Sequence, residues 1–227
     1  EMSASLVGSE MCIRDRNEYM IERTRRILRR TVWALQEQLK HGEFRPEGFE
    51  VKFEGGRIDR VDIMEEPENN RVYVKVIDYK TGNTSFDMLA LYHGLQLQLM
   101  IYMDGALTVE QNKHKNKDVI PAGVFYYNIK DPMIQEKIDA DIETVQEKVL
   151  KELKMNGLVL KDKELVQKMD SSLMSIPVSF NKDGSFRKNS SVASKEQFDI
   201  LNRYVKTKIS HIRQSIICLL YTSDAAD

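Results

Sequence analysis

The segment Val72-Tyr73-Val74-Lys75-Val76-Ile77-Asp78-Tyr79-Lys80 most constrains what this chain can fold into. Its β-branched residues and period-two pattern predict a strand, in which alternate side chains share a face. One face then reads Val72, Val74, Val76, Asp78, Lys80. A valine row of this kind is built for burial, and it runs straight into an acid and a lysine. The preceding run repeats the pattern, with Asp59 in phase with Val61 and Ile63. If the two strands are neighbours, Asp59 and Asp78 meet at the end of an apolar sheet face with Lys80 beside them.

Two clustered carboxylates at an apolar surface are costly unless a cation compensates. Together with a backbone carbonyl, here that of Tyr79, they suit a hard divalent ion such as Mg²⁺, with Mn²⁺ an alternative. A lysine one pleat on can hold a water and offset charge building on a phosphate. Metal, nucleophile and cationic clamp are what phosphodiester hydrolysis requires. Taken alone, Asp78-Tyr79-Lys80 reads more simply as a wet strand end with a surface ion pair worth little. The hairpin Gly56-Arg57-Ile58-Asp59 in front of it shifts the balance. Gln98 and Tyr102 are four residues apart and share a helix face, where an amide and a phenol could order a metal water or touch DNA.

The surrounding pattern predicts the scaffold. Residues 18–40 read as an amphipathic helix, with Ile21, Leu28, Val32, Leu35 and Leu39 near one face and Arg23, Arg26 and Arg30 on another. The run Arg23 to Arg30 could equally track a DNA backbone or face solvent or a partner. Strands are expected at 49–54, 57–64 and 71–80, joined by Gly55-Gly56 and by a turn at 67–70. A helix follows over 86–107, a polar loop over 110–118 and a strand over 122–129. Beyond Pro132 the reading is helical at 134–156, 163–169 and 195–215, with a polar stretch at 181–191. The order α-β-β-β-α-β with further C-terminal helices predicts an α/β fold: a mixed sheet flanked by helices.

Both ends look foreign. Residues 6–16 and 218–227 resemble translations of a sequencing adapter read in its two directions, and 1–5 go with the former. Three segments are therefore expected: a tail at 1–16, a domain at 17–217 (core about 49–130, helical extension 131–217) and a tail at 218–227. Setting the tails aside leaves 201 residues with 32 Lys+Arg against 30 Asp+Glu, and removes Cys12 and Cys218, the only two cysteines. Disulfide and thiolate–metal readings fall with them. Near-neutral charge does not itself argue for nucleic acid. No apolar run approaches the ~20 residues of a membrane span, and no signal peptide is visible, so no membrane role and a cytoplasmic setting are expected.

Gly56-Arg57-Ile58-Asp59-Arg60, then Ile77-Asp78-Tyr79-Lys80-Thr81-Gly82, then Gln96-Leu97-Gln98-Leu99-Met100-Ile101-Tyr102 resemble, in order, the motifs of the PD-(D/E)xK nuclease superfamily. The third is similar to the Q-x-x-x-Y signature of its RecB-like branch. Gly94-Leu95-Gln96, Pro121 to Tyr127 and Lys182-Asp183-Gly184 bring the resemblance nearest to the AddB-type nuclease regions of bacterial helicase–nucleases. It implies a restriction-endonuclease-like core, with Asp59 and Asp78 as metal ligands, Lys80 as catalytic lysine and Gln98 and Tyr102 in support. It also offers Glu50 as an accessory ligand and Arg57 and Arg60 as phosphate contacts, although a surface glutamate and solvent-facing arginines are the plainer readings. The implied partners are DNA and an AddA-like helicase–nuclease subunit, in DNA break repair and recombination. Two features of that group are missing, an upstream metal-binding histidine and four cysteines for an iron–sulfur cluster, and truncation at both ends is expected. A stand-alone RecB-like exonuclease and a non-catalytic DNA-binding or assembly module remain open alternatives.

Overall fold

A computed structural model describes residues 3–134 and 141–222, with side chains over 16–134 and 141–218. Helix α1 (Ser3–Lys40) precedes three antiparallel strands, β1 (Arg45–Phe53), β2 (Gly56–Glu66) and β3 (Arg71–Lys80). Next come α2 (Met88–Tyr92), α3 (Gln98–Lys113) and β4 (Asp118–Asn128), which pairs parallel to β3. The chain continues with α4 (Ile142–Glu152), β5 (Asn156–Leu160), α5 (Lys163–Met169), β6 (Val192–Ala193) and α6 (Lys195–Thr222). Among the described residues the strands form one six-stranded sheet in sequential order, mixed in direction because the α2–α3 crossover returns β4 parallel to β3.

Strand β3 is buried on both faces from Val72 to Asp78. Leu99, Met100, Met103 and Ala106 of α3 are buried with it, and α3 lies across β3 and β4 on the side of the valine row. The other side holds Tyr73 and Met64, which are buried in the same core as Leu165 of α5. The expected α/β architecture is therefore present, and the sheet end carrying Asp78 abuts the start of α3.

Several boundaries differ from the sequence reading. The helix expected over 86–107 is two helices: Gly94 adopts φ +83° and ends α2, and Gln96 pins the link that follows. Helix α3 runs on to Lys113, into the expected polar loop. The helix expected over 134–156 contracts to α4, with 135–140 outside the described residues. Strands β5 and β6 were not expected at all. Asn156–Leu160 is too short to show a period, and what makes it a strand is β4 alongside. Gly157 allows that approach, since a Cβ there would lie 1.9 Å from the Val124 carbonyl oxygen. On α1 only Leu35 of the expected apolar stripe packs against the main core. Ile21, Leu28 and Val32 are exposed, whereas Ala34, with Trp33 alongside, packs against Val149 and Leu153.

Candidate active site

Register brings the two acids together. Arg60 pairs with Ile77, Val61 with Val76 and Ile63 with Val74, so continuing the ladder sets Asp59 beside Asp78 on the valine face. Asp59 Oδ2 accepts the Tyr79 backbone N–H at 2.9 Å. Because a strand residue directs its N–H and C=O to the same edge, the Tyr79 carbonyl faces the same gap. Asp78 is 2 % exposed. Burial raises its carboxyl above the ordinary range and the Asp59 charge adds to this, while Lys80 opposes both.

Lys80 is held from three sides. Its Nζ lies 2.6 Å from Asp78 Oδ2 and donates to Gln98 Oε1 at 2.8 Å. Gln98 Nε2 in turn donates to the Tyr102 hydroxyl at 2.8 Å. The third neighbour is the Tyr126 ring, whose centroid is 5.5 Å from Nζ. Tyr126 stands opposite Asp78 across the parallel β3–β4 pair. Burial, with Asp78 and Tyr102 adding to it, pushes its phenol up to about 12. Sequence reasoning gave Tyr126 a place in a strand and in the resemblance but no role at the site, because its position there depends on the β3–β4 register.

The accessory expectations fare differently. Glu50 is exposed, at a left-handed φ of +54°, and its carboxylate pairs with Arg57 at the rim of the hairpin. Arg60 faces away from Asp59 and is buried on the opposite side of the sheet, which corrects the expectation that it meets phosphate. Its Nε and Nη2 donate to Asp62 Oδ1 and Oδ2 at 2.5 and 2.9 Å. Lys75 Nζ lies 2.9 Å from Asp62 Oδ2, and the Arg60 Nη1 reaches the Tyr79 hydroxyl at 3.4 Å. Alternation explains the difference: Asp59 and Arg60 are consecutive and must point to opposite faces. In the α1 arginine run, Arg26 and Arg30 are both engaged by Asp131.

Among the described residues no group of three or more His, Cys, Asp or Glu gathers as a cation site. The donor set is two carboxylates and a carbonyl, and it fits a hard divalent ion. Asp78 Oδ2 is buried, and the neighbour that offsets its charge is Lys80 Nζ at 2.6 Å. The chain's two cysteines cannot supply four thiolates for a cluster. No helix among the described residues is long and apolar enough to cross a membrane.

A mixed sheet whose central strands end in paired carboxylates and a lysine, closed by a helix bearing glutamine and tyrosine, defines a nuclease-type α/β domain. Comparison with known families agrees, since residues 3–220 match the PD-(D/E)XK nuclease superfamily. The chain belongs to that superfamily, whose members generally use a divalent metal. It is 38 % identical over 226 residues to AddB, an ATP-dependent helicase/deoxyribonuclease subunit, of Thermoanaerobacter sp. (strain X514). It is 40 % identical over 223 residues to the AddB of Lachnoclostridium phytofermentans, and 36 % over 231 residues to that of Clostridioides difficile. Each alignment covers 89 % of this chain, and the chain spans only about a fifth of these relatives' length.

Proposed function

We propose that this chain is the nuclease domain of a larger helicase–nuclease of the AddB kind, cutting DNA by Mg²⁺-dependent hydrolysis during break repair, inside the cell and beside an AddA-like partner. The observation that carries the reading is Asp78. Its buried carboxylate stands beside a second one, and burial with the Asp59 charge outweighs the offset from Lys80, so a divalent ion between the two acids would relieve the cost. A purely structural module gains nothing from that arrangement.

Asp59, Asp78 and the Tyr79 carbonyl would hold the ion, which when bound supplies Lewis-acid polarisation of the phosphate and of a water. The Asp59 carboxylate is oriented by the Tyr79 N–H, leaving Oδ1 for other partners. Lys80, aimed by Gln98 and flanked by the Tyr126 ring, offers its remaining N–H bonds to a water or to the charge developing on the phosphate. The Tyr102 hydroxyl accepts from Gln98 and keeps its own proton for a phosphate oxygen or a water. Arg57, exposed at the hairpin rim, is placed to meet the strand backbone once released from Glu50.

Residues 1–16 and 218–227 are, in this reading, foreign to the domain. The 89 % alignment coverage corresponds to about 202 residues, close to the 201 between the tails, although the family match runs over 3–220. The test is cleavage of a labelled oligonucleotide with Mg²⁺ or Mn²⁺ by the complete protein. Asp78→Ala and Lys80→Ala should each lower the rate by at least about 100-fold, while DNA affinity changes by less than about threefold. Cleavage at the wild-type rate in either variant overturns the assignment.

A further inference from the structure

The segment joining Lys80 to Gln98 displays a surface that the chemistry at its two ends does not use. The segment is tied down throughout. Asn128 of β4 accepts the Thr84 N–H and donates to the Thr84 carbonyl, and Asn156 accepts the Phe86 N–H. Gln96 accepts from the Asp87 N–H and donates to the Ser85 carbonyl, both at 2.9 Å. On this fixed base α2 buries only Leu91. Met88, Leu89, Tyr92 and Leu95 face outward, with Tyr92 60 % and Leu95 79 % exposed.

Tyr92 is more than an exposed aromatic. Its ring stacks on Tyr204 of α6, with centroids 5.8 Å apart and planes 8° from parallel. The Tyr204 hydroxyl donates to the Tyr92 carbonyl at 2.6 Å, so plate and backing are locked together. His93 meets the same ring edge-on at 5.3 Å. Lys208 runs beside Gly94, where a Cβ would come within 3.1 Å of its Cε. A flat π surface, rigidly backed, lies among hydrocarbon and next to a lysine and an imidazole. It is carried on a segment that begins and ends at a candidate phosphodiester-cutting site. Unpaired nucleobases match these features: they offer free π faces for stacking, and their phosphates seek the cations. Duplex DNA keeps every base face except those of its terminal pairs stacked inside, and so offers the plate little.

The geometry points to Tyr92, backed by Tyr204, as a base-stacking plate that seats an unpaired DNA strand on the segment joining Lys80 to Gln98 and makes the domain select single strands over duplex. This rests on the nuclease reading above and adds to it the residue that discriminates strandedness. It is tested by binding alone, so that its failure is separable from failure of the cleavage assignment.

The experiment measures fluorescence anisotropy of the full chain in EDTA, where no metal-dependent cutting occurs, with labelled oligodeoxythymidylate and with a blunt duplex of equal length. Tyr92→Ala and Tyr92→Leu should weaken oligodeoxythymidylate binding roughly 5- to 100-fold, Tyr92→Phe and Tyr92→Trp by less than about twofold, and duplex binding should not change. The unmutated chain supplies an independent reading that no folding defect can confuse. A 2-aminopurine placed in the oligonucleotide should be quenched on binding, as a stacked base is. Unaltered single-strand affinity in Tyr92→Leu, equal losses for single strand and duplex, or an unquenched 2-aminopurine would each overturn the inference. So would loss of self-association in Tyr92→Ala with oligonucleotide binding intact, which would assign the patch to a second copy.

Discussion

Replacing Asp62 by alanine tests the inward placement of Arg60, and its cost follows from the geometry. Asp62 is fully buried and is the shared counter-charge of Arg60 and Lys75, both also buried. Its removal leaves two desolvated cations facing each other across β2 and β3. Breaking a buried pair in this way costs about 3–5 kcal/mol, a large part of the ~5–15 kcal/mol that holds a domain folded. With a urea slope near ~3 kcal/mol/M, the midpoint should fall by about 1–1.7 M. Replacing all three residues together, as Arg60→Met, Asp62→Leu and Lys75→Met, should restore most of the loss, since no unpaired charge remains. The pH dependence has a definite sign. Burial alone would raise the Asp62 carboxyl, but Lys75 and Arg60 outweigh it and hold it below its ordinary 3.8. Its stabilisation is therefore present above that value and disappears as pH falls through the lower folded one. Urea titrations at about pH 7 and at stepped values below about 4 measure both effects. A midpoint shift under about 0.3 M at neutral pH, or a wild-type advantage that grows on acidification, would refute the reasoning.

Two other outcomes follow from the same geometry. Without metal, Asp78→Asn should melt higher than wild type at neutral pH, because it removes a desolvated carboxylate. Mg²⁺ or Mn²⁺ at about 100 times its Kd should then stabilise wild type by ~2.7 kcal/mol and leave the variant nearly unmoved; equal thermal shifts in both would remove the cation from this site. Gly157→Ala forces a methyl group onto the Val124 carbonyl, and should cost about 1–3 kcal/mol in chemical denaturation through separation of β5 from β4. A midpoint equal to wild type would show that the two strands adjust freely.

Much of the centre is legible in the chain because it is written in local periodicity. Asp78 and Lys80 lie two residues apart in a valine-rich strand, so they share a face whatever surrounds them. Gln98 and Tyr102 share a helix face for the equivalent reason, and the Gln98–Tyr102 hydrogen bond is that spacing made visible. Arg60 could have been assigned to the face away from the candidate site by the same alternation, since Asp59 shares its face with Val61 and Ile63. The resemblance drew attention to its charge instead. Tyr126 and Tyr92 were beyond reach. One enters the centre through the β3–β4 register, and the other gains its meaning from a ring 112 residues away on α6.

The sequence by itself determined the α/β class, the order of strands and helices, and which side chains share a face within each element. Those properties follow from backbone geometry repeating every two or about 3.6 residues. Only the tertiary structure decided which strands are neighbours and in what register. It therefore also decided that Asp59 and Asp78 sit side by side, that Arg60 is locked beneath the sheet, and that β5 exists. Pairings between distant segments depend on shape and burial summed over the whole core, which no local window of sequence contains.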